Sequence, residues 1–253
     1  MKKHLAINIS RYGASFVSLN DSHIQQEQFV VFHGFNSQSV KDSLNQAFSD
    51  YEFLSGDFDE IILSWNTNKS TLVPNSIFAE SDAVSIFRLC FGDSVDKHEI
   101  DYNRISEAGV VNVFEIPNWI KSYFVIKFPR IVLQHLGTHA LRGSLDSNAF
   151  KLKATLIISE GYFYLSMIKH NQLQFYSFFD TQSTEDIIYH LVFALQQKEL
   201  TNEKGSIELV PGSGQSEEFL TEIKSGLEKI KDLSGFNVNL VPDFIPKAQQ
   251  LCV

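Results

Sequence analysis

The sequence predicts an α/β protein made of two similar halves, each a mixed β-sheet flanked by helices. Two blocks of the chain, one beginning at Leu5 and the other at Ala154, repeat the order strand, strand, strand, helix, and each continues with a further strand, helix and strand. A repeat of a whole supersecondary unit constrains architecture more than local propensity does. Because the polar stretch Ser144–Asn148 lies between the blocks, we place the halves at residues 1–146 and 147–253.

The first half opens with three short apolar segments separated by turn residues. Arg11–Gly13 and Asn20–Ser22 are the turns, and the pattern around them predicts an antiparallel meander. Its strands are predicted at residues 4–10, 14–20 and 25–33. A helix follows, because Ser39 and Asp42 have capping-box spacing and apolar residues then recur with helical period.

The rest of the first half alternates strands and helices. Ile61–Trp65 is predicted to be a buried strand, and a helix is predicted from Pro74, a favoured first-turn residue, to Gly92. The charged residues 93–104 are predicted to form a loop. The remaining predicted elements are a strand at Gly109–Phe114, a helix opening at Pro117, a strand at Ile131–Leu133 and a helix ending near Gly143.

The second half repeats this scheme and suggests an internal duplication. Its meander strands are predicted at residues 154–159, 161–167 and 173–178. Ser183 and Asp186 again have capping-box spacing, and they align with Ser39 and Asp42 of the first half. A strand at Ile207–Val210, a helix at residues 216–233 and a strand at Val238–Val241 complete it.

Composition restricts the partners that we expect. The chain has 253 residues, 22 of them Phe, and its net charge of −9 disfavours binding to nucleic acid, which needs a basic surface. No signal peptide precedes the first strand pattern and no run of about 18 apolar residues occurs, so we expect a cytoplasmic protein without a membrane span. Cys90 and Cys252 are expected to be free thiols.

The duplicated meander-and-helix unit resembles the actin-like ATPase superfamily, which includes actin, the Hsp70 ATPase domain, sugar kinases, and bacterial cell-division and pilus-assembly proteins. Within it, the chain is most similar to an uncharacterised bacterial family, a domain of unknown function with an actin-like fold. The resemblance covers essentially the whole chain. It implies two ribonuclease H-like halves with nucleotide bound between them.

The resemblance also implies where phosphate and Mg²⁺ would bind, namely at the first hairpin of each half, where the superfamily has Asp-x-Gly. Here Asn8 or Ser10 falls on the Asp position of the first hairpin, and Ser159 falls on that of the second. Gly161 is retained, but Tyr162 follows it where the superfamily has small residues. Since Mg²⁺ prefers carboxylate ligands, we expect a pseudo-ATPase whose metal site is lost.

The second half contains a candidate remnant of a nucleotide site. In the superfamily a glycine pair after the fourth strand contacts adenosine, and Gly212, Ser213 and Gly214 occupy that place here. Together with Gly161 they are the candidate nucleotide-binding residues. A short glycine turn that merely leads into a helix is the commoner interpretation. We therefore expect no required cofactor, and ATP, if it binds, is not expected to be hydrolysed.

Two further groups of residues have both functional and structural interpretations. His135 and His139 are four residues apart, as on a metal-binding helix face, but no carboxylate or cysteine with ligand spacing accompanies them. We interpret them as packed or surface histidines and predict no metal site. The aromatic residues Tyr162, Tyr164 and Tyr176 of the second meander could form an exposed face, although alternate residues of a strand must face a core.

Two classes of function remain. The first is a non-catalytic scaffold that binds another protein through the inter-domain cleft or through Tyr162, Tyr164 and Tyr176, because aromatic residues concentrate at interfaces. The second is an atypical nucleotide-dependent ATPase or kinase-like enzyme that uses the same cleft. The missing acidic residues favour the first, and no catalytic residue is predicted. The sequence does not indicate the oligomeric state.

Overall fold

The computed structural model describes residues 2–92, 95–146, 150–212 and 215–251. The chain divides into two compact units, of which the first contains residues 1–139 and 246–253 and the second contains residues 140–245. No helix in the described ranges combines the length and the apolar character that a membrane crossing requires.

The strands and helices of the described residues are numbered in chain order. The strands are β1 Lys3–Ile9, β2 Gly13–Asn20, β3 His23–Val31, β4 Glu60–Trp65, β5 Ser70–Pro74, β6 Ile100–Ile105, β7 Val110–Glu115, β8 Val132–His135, β9 Leu152–Ser159, β10 Tyr162–Lys169, β11 Gln172–Asp180, β12 Gly205–Pro211 and β13 Phe236–Leu240. The helices are α1 Ser37–Asp50, α2 Ala83–Phe91, α3 Asn118–Lys127, α4 Leu136–Asp146, α5 Thr184–Gln197, α6 Glu217–Glu228 and α7 Phe244–Gln250.

The large sheet of the first unit has the strand order β3-β2-β1-β4-β8. The meander β1-β2-β3 is antiparallel, as the sequence predicts, and β4 and β8 run parallel to β1, which makes the sheet mixed. Alternate residues of β1 and β4 face helices α1 and α3 and form the core with them. Members of this core include Leu5, Ile7, Ile9, Phe16, Leu44, Leu63, Trp65, Phe114 and Phe124.

A second, three-stranded antiparallel sheet, β5-β7-β6, packs with α2 in the first unit, and here the sequence prediction is partly wrong. Pro74 ends strand β5 instead of opening a helix, and the helix begins only at Ala83. Proline is tolerated there because β5 is an edge strand, which needs no outward amide donor. Strand β6 begins at Ile100, inside the predicted loop of residues 93–104.

The large sheet of the second unit, β11-β10-β9-β12-β13, has the same sequence of antiparallel and parallel pairings as the first. Helices α5 and α6 cover one face and complete its core. Ser183 caps α5 with the predicted capping box, since its hydroxyl accepts from the Asp186 N–H and Asp186 Oδ2 accepts from the Ser183 N–H. The equivalent prediction for α1 is wrong, because Asn36 is its cap.

The sequence analysis misses α7 altogether. This helix has seven residues and contains Pro246, so its apolar pattern is too short to recognise. Gln249, in the part of α7 that belongs to the first unit, donates from Nε2 to Ile7 O at 2.8 Å and to Ile62 O at 3.4 Å. The C-terminal segment is therefore anchored on the β1–β4 pair of the first sheet.

Candidate functional site

A row of uncharged polar side chains crosses the first sheet near the carboxyl ends of its parallel strands. Asn8 is the register neighbour of Ser15 and of Ser64, and Ser64 is the neighbour of Gln134. Register partners point to the same face of a sheet, so these four residues form one polar stripe on the face opposite the Ile7–Ile9 core. Asn8 and Ser64 are buried. Carboxyl ends of parallel strands are the usual place for ligands in α/β sheets.

The turn between β1 and β2 uses its own backbone donors. The Ser10 N–H donates to Gly13 O at 2.9 Å, and the Tyr12 N–H donates to Ser10 Oγ at 3.2 Å. Gly13 is required by packing, since a Cβ atom there would lie 2.5 Å from Val30 O. The first turn is therefore a self-contained hairpin in which two of the amides that could bind a phosphate already have partners.

The turn between β9 and β10 is also tight. Tyr162 pairs with Ser159 across it, and Gly161 has a φ of 80°, a conformation that favours glycine. Tyr162 is only 6% exposed. The strand registers align Tyr162, and not Gly161, with Gly13 of the first hairpin. Backbone conformation alone explains the retained glycine.

Gly212, the described part of the second candidate nucleotide motif, follows β12 directly. Its N–H donates to Ile158 O at 2.7 Å, and a Cβ atom there would lie 2.5 Å from the same oxygen. Close approach to β9 therefore excludes a side chain at this position. Ser213 and Gly214 lie outside the described residues.

His135 is the centre of a buried polar cluster in the first unit. Its Nδ1 accepts hydrogen bonds from Asn112 Nδ2 and from the Gly137 N–H, both at 3.0 Å, so the proton lies on Nε2, which donates to Thr67 O at 3.0 Å. Complete burial lowers the pKa of His135 to about 4. The imidazole is thus neutral near pH 7 and holds backbone and side-chain groups together.

Asn103 extends this cluster to strand β6. Its Oδ1 accepts from the His135 N–H at 2.8 Å and from Thr138 Oγ1 at 3.1 Å. His139 is also fully buried, so both histidines are packed. Within the described residues no group of three or more His, Cys, Asp or Glu side chains is arranged to hold a metal ion. The sequence analysis misses Asn103 and Asn112, although an asparagine inside the apolar strand Val110–Phe114 is an available signal.

The three candidate tyrosines of the second meander are not exposed. Tyr162 and Tyr164 are buried, and Tyr176 is half-buried. Tyr164 packs edge-on against Tyr176 and Phe178, with ring centroids 5.3 Å and 5.4 Å away, and burial raises the pKa of its hydroxyl. The expected exposed face is therefore wrong for these residues, because strands β9 and β10 are buried on both faces.

Two exposed aromatic rings of the second unit, Tyr189 and Phe193, adjoin partly buried rings where β11 meets α5. Phe175 stacks on Phe179 at 6.1 Å, Phe179 stacks on His190 at 4.4 Å, and His190 contacts Tyr189 at 5.3 Å. Tyr189 then stacks on Phe193 at 5.9 Å. Tyr189 is 62% exposed and Phe193 is 45% exposed. We call these five residues the aromatic band.

Strand β11 adjoins the aromatic band and is an edge strand, since no described strand pairs with its outer side. It has no charged residue from Gln172 through Phe179. Exposed edges usually carry charges or prolines that prevent pairing with another chain. The helical spacing of Tyr189 and Phe193 could have revealed the exposed part of the band.

Comparison with known proteins identifies the family and the fold. A model of the family described as protein of unknown function (DUF3822) matches residues 1–229. Comparison with curated proteins gives no significant match.

Two solved structures illustrate the fold. A Bacteroides thetaiotaomicron protein with an actin-like ATPase fold and unknown function is 19% identical, with 100% of this chain and 96% of that chain covered and a TM-score of 0.76. The PilM–PilN type IV pilus biogenesis complex contains a chain 10% identical, with 98% of this chain and 94% of that chain covered and a TM-score of 0.51. The predicted resemblance is confirmed: the chain belongs to the DUF3822 family of proteins of unknown function and has the actin-like ATPase fold.

Proposed function

We propose that this protein is a non-catalytic, actin-like scaffold that binds another protein at the aromatic band. The observation that carries the proposal is the continuous series of ring contacts from Phe175 to Phe193 beside the open edge of β11. Contiguous exposed apolar patches on a soluble protein mark interaction sites, and aromatic residues are enriched among those that dominate binding energy.

The absence of catalysis is supported by the donor set of the polar stripe. Asn8 or Ser10 falls where the resemblance to the actin-like ATPases implies a carboxylate, and the other residues of the polar stripe, Ser15, Ser64 and Gln134, are also uncharged. Neutral amides and hydroxyls are weak ligands for Mg²⁺ compared with carboxylates. Loss of a metal clamp on the transferred phosphoryl group costs orders of magnitude in rate.

A protein partner is supported by the character of β11. An uncharged edge strand can accept an additional strand from another chain, with main-chain hydrogen bonds giving affinity and the adjacent rings giving specificity. We therefore propose that the partner contributes an extended segment with apolar side chains at alternate positions. PilM, which has a similar fold, is found in complex with the protein PilN, and this fits the proposal without carrying it.

The alternative function, an atypical nucleotide-dependent ATPase or kinase-like enzyme, has only the turn glycines in its favour. Gly161 is explained by its positive φ, and Gly212 is explained by its contact with Ile158. Phosphate release from MgATP by the purified protein measures this alternative directly. We expect no release above background, and robust release that is lost in Gly161→Val would support the enzyme instead.

The binding test starts with a variant that carries a photo-crosslinking amino acid in place of Phe193. This variant is expressed in the cells in which the protein naturally occurs. The captured protein is then purified, and its affinity for the wild-type chain is measured. We expect Tyr189→Ala with Phe193→Ala to weaken binding by about 100-fold, because each interface hot spot contributes roughly 1–2 kcal/mol.

The matched control is Val125→Ala with Ile126→Ala, which removes exposed apolar side chains from helix α3 of the first unit. This variant should bind the partner as tightly as the wild type does. Equal weakening by both double variants, or no weakening by the α5 variant, would contradict the assignment of the aromatic band as the binding surface.

A further inference from the structure

A concave site with an excess of positive charge lies at the amino ends of β9 and β12 in the second unit. It has a volume of about 580 Å³, and the charged residues lining it are Lys151, Lys153, Lys204 and Glu208. Three lysines against one glutamate leave two unbalanced positive charges, in a protein whose net charge is −9. Local charge opposite to that of the whole molecule attracts ligands of the complementary sign.

Lys153 is the buried member of this group. It is 8% exposed, its Nζ lies 2.9 Å from Glu208 Oε2, and its ammonium lies 5.7 Å from the centre of the Phe244 ring. A buried ion pair contributes little net stability because desolvation opposes the attraction between its charges. The stability of the fold therefore does not explain why an ammonium group is held inside this cavity.

Lys151 and Lys204 are exposed, and neither has a carboxylate partner among the described residues. Their ammonium groups can therefore contact a ligand without first breaking an ion pair. Asn237 adds a side-chain amide to the same lining. Lysine binds phosphate as a mobile point charge, whereas arginine favours planar, bidentate recognition.

Phe150 supplies an apolar surface in the lining. Its side chain is 78% exposed, and its ring lies 4.9 Å from that of His170. An exposed aromatic ring beside unpaired ammonium groups suits a ligand that joins an anionic group to a planar body.

We propose that this cavity binds a small phosphate monoester that carries a planar ring. A phosphate monoester has about two negative charges above its second pKa of about 6, which matches the unbalanced charge of the lining. The three lysines bind the phosphate, Glu208 keeps Lys153 in position, and Phe150 stacks on the ring. The site shares no residue with the aromatic band, so its test is independent of the partner protein.

Calorimetric titration of the full chain with phenyl phosphate at about pH 8, where the phosphate is a dianion, tests the proposal. We expect saturable binding that Lys151→Gln with Lys204→Gln weakens by about tenfold or more. Lys198→Gln with Lys229→Gln removes the same charge from exposed positions of the second unit outside the cavity and should leave the affinity unchanged. Equal weakening by both double variants, or no binding to the wild type, would overturn the proposal.

Two further titrations separate the contributions of charge and ring. Phenyl sulfate, with one charge, should bind more weakly than phenyl phosphate, and Phe150→Ala should weaken phenyl phosphate while leaving inorganic phosphate unaffected. Stronger binding of a glutamate-rich peptide, with displacement of phenyl phosphate, would show that the site recognises acidic protein segments and would overturn the small-ligand assignment.

Discussion

In both large sheets an equivalent backbone hydrogen bond is made by the residue just after the strand that runs parallel to the first meander strand. These parallel strands are β4, beside β1, and β12, beside β9. The Asn66 N–H donates to Ile9 O at 2.8 Å in the first sheet, and the Gly212 N–H donates to Ile158 O at 2.7 Å in the second. This equivalence aligns the two sheets residue by residue, so side chains at the same place in the same scaffold can be compared.

The aligned positions carry opposite chemistry. Ser15, Asn8 and Ser64 of the polar stripe correspond to Tyr164, Ile157 and Val210, which are fully buried and largely apolar. Strand order and hydrogen bonding therefore do not determine whether the side chains near the carboxyl ends of a sheet are polar or apolar. The first sheet retains polar groups there, whereas the second fills the same place with packing.

The edge strands of the two sheets, β3 and β11, also differ in polarity. The first five residues of β3, His23–Glu27, are exposed and mostly polar, whereas β11 is aromatic and half-buried along most of its length. Polar side chains protect an edge from pairing with another chain, and uncharged aromatic ones do not. The first sheet therefore has a buried polar stripe and a polar edge strand, whereas the second has an apolar interior and an aromatic edge strand that can pair with another chain.

Exchange of the aligned residues gives the largest expected effect. Ile157→Asn introduces the first sheet's residue into the second, and it should lower the free energy of unfolding by about 4 kcal/mol, because aliphatic burial is lost and an amide is left without partners. Urea denaturation followed by circular dichroism measures it. Ile77→Asn, at a 71% exposed isoleucine, is the control and should change stability by less than about 0.5 kcal/mol. A similarly small effect of Ile157→Asn would show that both sheets accept polar residues on this face.

The buried ion pairs provide the next comparison. His4 Nδ1 lies 2.9 Å from Oε2 of its register neighbour Glu60 in the first sheet. The aligned residue of the second sheet, Lys153, pairs instead with Glu208, two residues beyond its own register neighbour Ser206. Glu208→Gln should cost about 3 kcal/mol, because it leaves a buried ammonium without its counter-charge. Glu60→Gln should cost clearly less, since the lysine partner of Glu60, Lys2, is exposed and exposed ion pairs contribute little to stability. Denaturation of both variants at one pH above neutrality measures the difference, and equal losses would contradict the distinction.

Burial of His135 in the first unit is expected to make the free energy of unfolding depend on pH. Its pKa is about 4 in the folded protein and 6.5 as a reference value, so the unfolded chain binds the proton more readily. Its contribution is fully present above pH 6.5 and falls by about 3 kcal/mol as the pH decreases to about 4. His135→Gln should flatten the stability profile in this window, while exposed His33→Gln should not. Parallel profiles for wild type and His135→Gln would contradict the assignment.

The smallest effect is expected inside the polar stripe. Ser64 is fully buried, and its hydroxyl has no hydrogen-bond partner among the described residues. Ser64→Ala should therefore leave stability unchanged or raise it by up to about 1 kcal/mol, because the desolvation cost of the hydroxyl is removed. Ser10→Ala is the contrasting variant and should lose about 1 kcal/mol, since the Ser10 hydroxyl accepts from the Tyr12 N–H. A marked loss in Ser64→Ala would indicate that the stripe contributes to stability.

Local signals explain which parts of the fold were predictable. Ser183 and Asp186 are three residues apart, so the capping box they form follows from spacing alone. Strands β5 and β6 were missed because Pro74 resembles a helix start and Asp101 and Asn103 resemble a loop. Both strands are held by β7, more than 30 residues after β5, and such a partner is not visible in a local window.

The candidate sites also contain some residues that local sequence identifies and others that only the folded chain brings together. The uncharged residues at the first turn, Asn8 and Ser10, can be read directly from the sequence, and so can the glycines of the second unit. The aromatic residues could not be sorted in that way, since Tyr164 and Tyr189 belong to similar apolar patterns but one is buried and the other is exposed. The lysines of the cavity come from two separate segments, residues 151–153 and residue 204, which come together only in the folded chain.

The sequence alone predicts the repeated strand-and-helix order, the antiparallel meanders within mixed sheets, and the uncharged residues Asn8, Ser10 and Ser159, because each depends on periodicity or on residue identity at one place. Three features are visible only in the folded structure. They are the rings that form the aromatic band, the hydrogen bonds of Asn103 and Asn112 to His135, and the lining of one cavity by Lys151, Lys153 and Lys204. Exposure and convergence depend on contacts between residues that are distant in the chain, such as Asn112 with His135 and Leu152 with Gly205, and a local pattern does not contain them.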